Sequence, residues 1–216
     1  MNIIKNNETI YITDRTILSV TNQSHATDTI DETSHCKFIM ATHAKCNTED
    51  FAVSGCFALT TRKKITLSKL DNTGKIVIIH AMGFNGLDDK ATILNDVNIP
   101  GHLSYIDGCS NSNIIDPPRN GDPCVNYLFI PKNTEQTFHT HPSGRIILIL
   151  SGQGVCSLKD TEIPLIPGQV YNLPRHIIHR FKTTDNSLSV MVFHPDSDSG
   201  PKDEANPMKT RTLINN

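Results

Sequence analysis

The 216-residue chain is 37% hydrophobic and 19% charged, carries a formal net charge of -2 and has no basic block. That balance excludes a disordered tail and offers nucleic acid or an anionic membrane no electrostatic footing. No apolar run reaches the length a bilayer demands, and Glu8 and Asp14 interrupt the N-terminal stretch where a signal peptide needs a continuous apolar segment.

A cytoplasmic location is therefore expected, with the six cysteines (36, 46, 56, 109, 124 and 156) as reduced thiols. Cys36, Cys46 and Cys56 recur every ten residues, too far apart for the paired spacing by which zinc modules grip one ion.

Residues 1–50 are polar and Asn/Thr-rich, and read as an N-terminal extension whose short apolar patches, "YITDRTILSV" and "KFIMA", suit edge strands. From residue 51 the texture is all-β. "KITLSKL" alternates apolar and polar residues, as a half-buried strand does, and "KIVIIHAM" is continuous and β-branched, as a buried strand is. The intervening "DNTG", residues 71–74, predicts a hairpin turn. The best helix candidate is "DDKATILNDV", residues 88–97. Residues 107–124, "DGCSNSNIIDPPRNGDPC", are dense in turn formers and predict a long loop, where functional side chains often gather. Residues 51–124 thus supply additional strands of one enlarged barrel, the preferred reading, or a degenerate first barrel.

Residues 125–195 form the core, a succession of short strands punctuated by Gly and Pro, and residues 196–216 a polar C-terminal tail. Within the core, "QTFHTHPSGRIILILSGQG" places His139 and His141 one residue apart. Side chains at i and i+2 of a strand share a face, so both imidazoles aim at one interior point, with Phe138 and Thr140 opposite. Two imidazoles begin a transition-metal site, and a third ligand must come from elsewhere in the fold.

"HTHPSGRIILILSGQG" followed by "IPLIPGQVYNLPRHIIHRF" resembles the cupin superfamily over roughly residues 125–194. His139, His141 and Gly152 match the first cupin motif. Pro174 and His179 match the second, with His176 where Gly is usual, and Pro167-Gly168 matches the turn between them. The resemblance implies an all-β cupin double-stranded β-helix, a jelly-roll barrel with extra N-terminal strands, in which His179 joins His139 and His141 as metal ligands. It also exposes a departure: Arg145 stands where the family usually carries a metal-binding Glu. Arginine stays protonated and cannot coordinate, so the expected site is three-histidine. Gln136 and Glu135 are candidates for an extra ligand, and His176 for the second shell or rim. Thiol and diketone dioxygenases of the superfamily hold iron through histidines alone.

Arg145 reads either as an anchor for a substrate carboxylate or as half of a buried ion pair with Asp122 or Glu135. Arg119, on the long loop, is a second candidate anion contact. Tyr127 or Tyr171 is a candidate to line the pocket or act as a catalytic proton donor. The expected cofactor is one divalent ion, Fe2+ or Zn2+ ahead of Ni2+ or Mn2+. Two function classes follow: a metal-dependent enzyme acting on a small anionic metabolite, by dioxygenase-like or Lewis-acid chemistry, and a small-molecule-binding cupin without turnover. A homodimer is expected, since exposed edge strands invite pairing.

Overall fold

The computed structural model describes residues 1–13, 17–23, 26–82, 89–118 and 121–196. Among them are eighteen strands and one 3-10 turn, Ile106–Gly108. The first nine strands are β1 (Asn2–Ile3), β2 (Thr9–Thr13), β3 (Ile17–Gln23), β4 (Thr27–Ile30), β5 (Cys36–Asn47), β6 (Ala52–Thr61), β7 (Ile65–Lys69), β8 (Lys75–Met82) and β9 (Lys90–Ile93). They are followed by β10 (Leu103–Ser104), β11 (Ser110–Ile115), β12 (Cys124–Ile130), β13 (Arg145–Gly152), β14 (Gly154–Ser157), β15 (Glu162–Leu165), β16 (Val170–Leu173), β17 (Arg180–Lys182) and β18 (Leu188–His194). The chain is all-β, and no helix is long and apolar enough to cross a membrane.

Three sheets stack in layers. A seven-stranded sheet runs β1-β16-β13-β18-β12-β11-β10. One face meets an eight-stranded sheet built from β2 to β9, and the other meets a three-stranded sheet, β15-β14-β17, to form the jelly-roll barrel. This position between two layers explains the unbroken apolar run of "RIILIL". Ile146 and Leu148 enter the core shared with the eight-stranded sheet, while Ile147 and Ile149 enter the barrel interior. A strand buried on both faces has no reason to alternate. β8 obeys the same logic, with Val77 and Ile79 toward the shared core and Ile76 and Ile78 toward a third cluster on the far side of the sheet. Across the shared core Phe38 and Phe193 pack edge to face at 5.1 Å, a geometry worth about 1 kcal/mol beyond the area it buries.

Four expectations about local structure are corrected. "KFIMA", expected at an edge, lies inside the eight-stranded sheet, where β5 pairs with β8 on one side and β6 on the other. "DNTG" does not close a hairpin. β7 and β8 do not pair with each other but lie end to end along one edge of β5, pairing with its residues 44–47 and 36–42. The turn is an excursion at the point where β5 bulges, and Leu70 N donates to His43 O at 2.7 Å across its base. No Cβ fits at Gly74, because it would sit 2.6 Å from that same carbonyl. The predicted helix at residues 88–97 is instead strand β9, since pairing of Lys90–Ile93 with the edge of β6 outweighs a short amphipathic pattern; residue 88 lies outside the described residues. The long loop also contains a strand. "SNSNII" forms β11 against β12, with Ile114 and Ile115 buried and its polar residues ahead of them.

Candidate metal centre

His139 and His141 arrive on an extended segment that docks through isolated bridges rather than a continuous ladder. His139 and His179 exchange two backbone hydrogen bonds, each 3.0 Å, which brings the Pro174–His179 stretch against the His-x-His segment. His176 N donates to His141 O at 2.9 Å and closes the same contact. His176 reaches this geometry with φ +60, the left-handed region that glycine enters without strain, which accounts for the usual Gly there. Its side chain is exposed and absent from the cavity wall, so it touches the site through its backbone.

The three rings converge. Their centroids lie 5.0 Å (139–141), 4.4 Å (139–179) and 5.1 Å (141–179) apart, and one nitrogen from each falls within 4.8 Å of the others. Their hydrogen bonds set the tautomers of two. His139 Nδ1 lies 2.9 Å from Thr137 O and His179 Nδ1 2.9 Å from Ile177 O. A carbonyl only accepts, so each Nδ1 carries a proton, and in the neutral ring Nε2 is the nitrogen with the lone pair. Burial, then Arg145 and the other two rings, pushes His141 down to about 3. Burial likewise pushes His179 down to about 4, with His139 and Arg145 adding to it against the opposing Ile177 hydrogen bond. Both rings are thereby neutral near pH 7, the form that ligates metal. Neutral imidazoles with a preset tautomer, clustered within reach of one point, fit a divalent ion.

The cluster borders a cavity of about 430 Å³. Besides the three histidines, the polar residues on its wall are Tyr105, Asn111, Asn126, Gln136, Arg145, His194 and Thr140, the last expected on the opposite face, and the apolar part includes Leu128, Ile147 and Phe181. No carboxylate lines it among the described residues. Arg145 is 2% exposed; its Nη1 donates to Ser143 O at 3.0 Å, to Gly144 O at 2.9 Å and to Ser143 Oγ, so the guanidinium also ties down the loop before β13. Gln136 is on the wall, but its amide is committed: Nε2 donates to Cys109 Sγ at 3.2 Å, and Oε1 accepts from Phe181 N at 3.1 Å.

Three expected participants are placed elsewhere. Glu135 is exposed and forms an ion pair with Arg180, away from the cavity wall and from Arg145. Tyr127 sits in the core shared with the eight-stranded sheet, its hydroxyl 2.7 Å from Ile99 O and 3.0 Å from Val97 O. The cause is strand parity. Asn126 and Leu128 face the cavity, so Tyr127 between them faces away. Tyr171 is likewise off the wall and donates to Pro164 O at 2.6 Å. Arg119 lies outside the described residues.

Sequence reasoning missed Tyr105, Asn111, Asn126 and His194. His194 ends β18, and its ionisation is driven well below the ordinary histidine range by burial, then by Arg145 and His141. A "HP" pair at a strand end carried no signal for this. Tyr105 comes from the short turn over the cavity, latched where Thr137 N donates to Asp107 Oδ2 at 2.6 Å, two residues from His139.

Comparison with known proteins agrees with this architecture. Residues 126–194 match the family model described as the cupin domain. No curated protein sequence matches the chain. Among solved structures, a cupin 2 conserved barrel domain protein from Leptotrichia buccalis aligns over 89% of this chain and 91% of its own, with a TM-score of 0.58 and 14% identity. A salicylate 1,2-dioxygenase from Pseudaminobacter salicylatoxidans aligns over 87% and 76%, with a TM-score of 0.60 and 9% identity. An IolB-like protein from Salmonella typhimurium aligns over 95% and 96%, with a TM-score of 0.59 and 10% identity. At these identities the likeness is one of fold. Residues 126–194 of the chain are a cupin domain, set in a jelly-roll barrel to which β1, β10 and β11 also contribute strands.

Proposed function

We propose that the chain is a metal-dependent cupin enzyme in which His139, His141 and His179 hold one divalent ion, Fe2+ or Zn2+, and act on a small carboxylate-bearing metabolite. The observation that carries this reading is the convergence of the three imidazoles, one nitrogen of each within 4.8 Å of the others, with Nδ1 of His139 and of His179 facing a backbone carbonyl so that Nε2 of the neutral ring is the nitrogen left to ligate. When bound, the ion supplies Lewis-acid polarisation of the substrate or, as iron(II), an electron source for dioxygen.

The chain's own residues supply the rest. Three neutral imidazoles leave the ion's charge uncompensated, and Arg145 adds a positive charge to a wall that carries no carboxylate among the described residues. An anion is the ligand such a site favours. Arg145 orients that anion through its planar fork. The apolar wall of Leu128, Ile147 and Phe181 strips water from the rest of the molecule.

Elemental analysis of the purified chain tests the assignment. One Fe or Zn per chain, lost in His139→Ala with the fold retained, is expected, together with oxygen uptake or turnover on a panel of small carboxylates. A well-folded protein that takes up no metal would instead make the cavity a ligand-holding site without turnover.

A further inference from the structure

Asn111 and Asn126 line the cavity, and Oδ1 of each is buried with no hydrogen-bond partner among the described residues. The two residues come from neighbouring strands. Asn126 stands opposite Asn113, and Asn111 is two residues along β11 on the same face. This is the diagonal relation in which side chains of paired strands reach one another. Buried polar atoms are nearly always paired in folded proteins, so two orphans on one cavity wall mark a place where the partner arrives with the ligand. A carboxamide presents one C=O and one NH2, and rotation about χ2 exchanges them. Each therefore complements a neutral hydroxyl, carbonyl or amide rather than a full charge.

The backbone distance of Asn126 from Arg145 follows from the ladder, and Asn111, one strand further across, lies beyond it. Val192 pairs with Asn126 on one side and Ile147 on the other, and Arg145 is two residues along β13 from Ile147. Two strand spacings across and two residues along amount to roughly 12 Å between backbones. The side chains between are apolar: Val192, Ile147 and Leu128.

We propose that Asn111 and Asn126 form a neutral-polar subsite that, with Arg145, selects a carboxylate bearing a hydroxyl, carbonyl or amide separated from its charge by an apolar middle. The anionic end of this description rests on the function proposed above; the neutral end rests on the two carboxamides alone.

Calorimetric titration of the full chain with matched acids tests it: benzoate against 4-hydroxybenzoate, and butanoate against 4-hydroxybutanoate. At least one hydroxylated acid is expected to bind about tenfold tighter than its deoxy partner, the worth of one buried hydrogen bond. Asn126→Leu or Asn111→Leu should abolish that preference while leaving the deoxy acid's affinity and the metal content unchanged. Leu replaces an unpartnered polar atom at similar volume, so the melting temperature should not fall; should a Leu variant fail to fold, Asn126→Ser serves as the second variant, expected to weaken the preference. No hydroxyl preference in the wild type, or a preference untouched in the variants, overturns the subsite. An Asn-dependent preference in a protein that binds no metal would sink the metal assignment and keep the subsite. Metal that depends on His139, without any hydroxyl preference, would do the reverse.

Discussion

His139 and His179, forty residues apart in sequence, face each other as a bridge pair with reciprocal 3.0 Å backbone hydrogen bonds, and their rings lie 4.4 Å apart. The backbone thus sets the ring spacing before any ion arrives, so metal binding loses little to ordering. Each ring also spends its Nδ1 proton on the carbonyl two residues before it, Thr137 or Ile177, so both present the same nitrogen.

Metal binding to this preset cluster stabilises the folded state alone. Metal at about a thousand times its dissociation constant contributes about 4 kcal/mol. For a chain of this size, chelation should therefore lower the melting temperature by on the order of 10 °C. Differential scanning calorimetry with and without chelator checks it, and His179→Ala should show no chelator effect.

Acid should weaken the metal-free fold in a defined window. His141 is held at about 3 and His179 at about 4, chiefly by burial, and His80 at about 4 by burial and then by His35 and Lys37. In the unfolded chain these groups titrate at the ordinary 6.5. As pH falls from 6.5 toward 4 the unfolded chain takes up protons that the folded chain refuses, so stability declines; above 6.5 these groups contribute no pH dependence. Urea unfolding of metal-free protein at steps between pH 7.5 and 4 should show the decline. A flat profile would contradict the burial of these rings.

Gly152 closes β13 with φ +87, and a Cβ there would lie 1.8 Å from Ser187 O, a backbone atom that cannot step aside cheaply. Gly152→Ala combines left-handed strain with a backbone clash and should cost roughly 3 kcal/mol or more. Its unfolding midpoint in guanidinium measures this.

Tyr127→Phe separates the two faces of β12. The hydroxyl contacts Val97 and Ile99 carbonyls and Ser189 Oγ outside the barrel interior. The substitution should cost about 1 kcal/mol of stability and leave metal content and ligand affinity unchanged. A loss of activity without a loss of stability would place the hydroxyl in the chemistry after all.

What the amino-acid sequence determined by itself was whatever depends on short-range period. His139 and His141 share a face because a strand alternates every two residues, and the continuous β-branched "KIVIIHAM" announced a buried strand. His179 was legible only through the second motif, since nothing local ties it to His139. The three-dimensional structure alone decided which face of each strand the barrel would enclose. Parity shows that Asn126 and Tyr127 oppose each other, but not which of them sees the cavity; packing of Tyr127 against the eight-stranded sheet settled that. Asn111, in a stretch whose composition reads as loop, became a wall residue through pairing with β12. Glu135 left the site because Arg180 lay within reach on the outer surface. Ladder pairing and the burial of one face join residues far apart in the chain, and their free energy belongs to the closed barrel rather than to any segment of it.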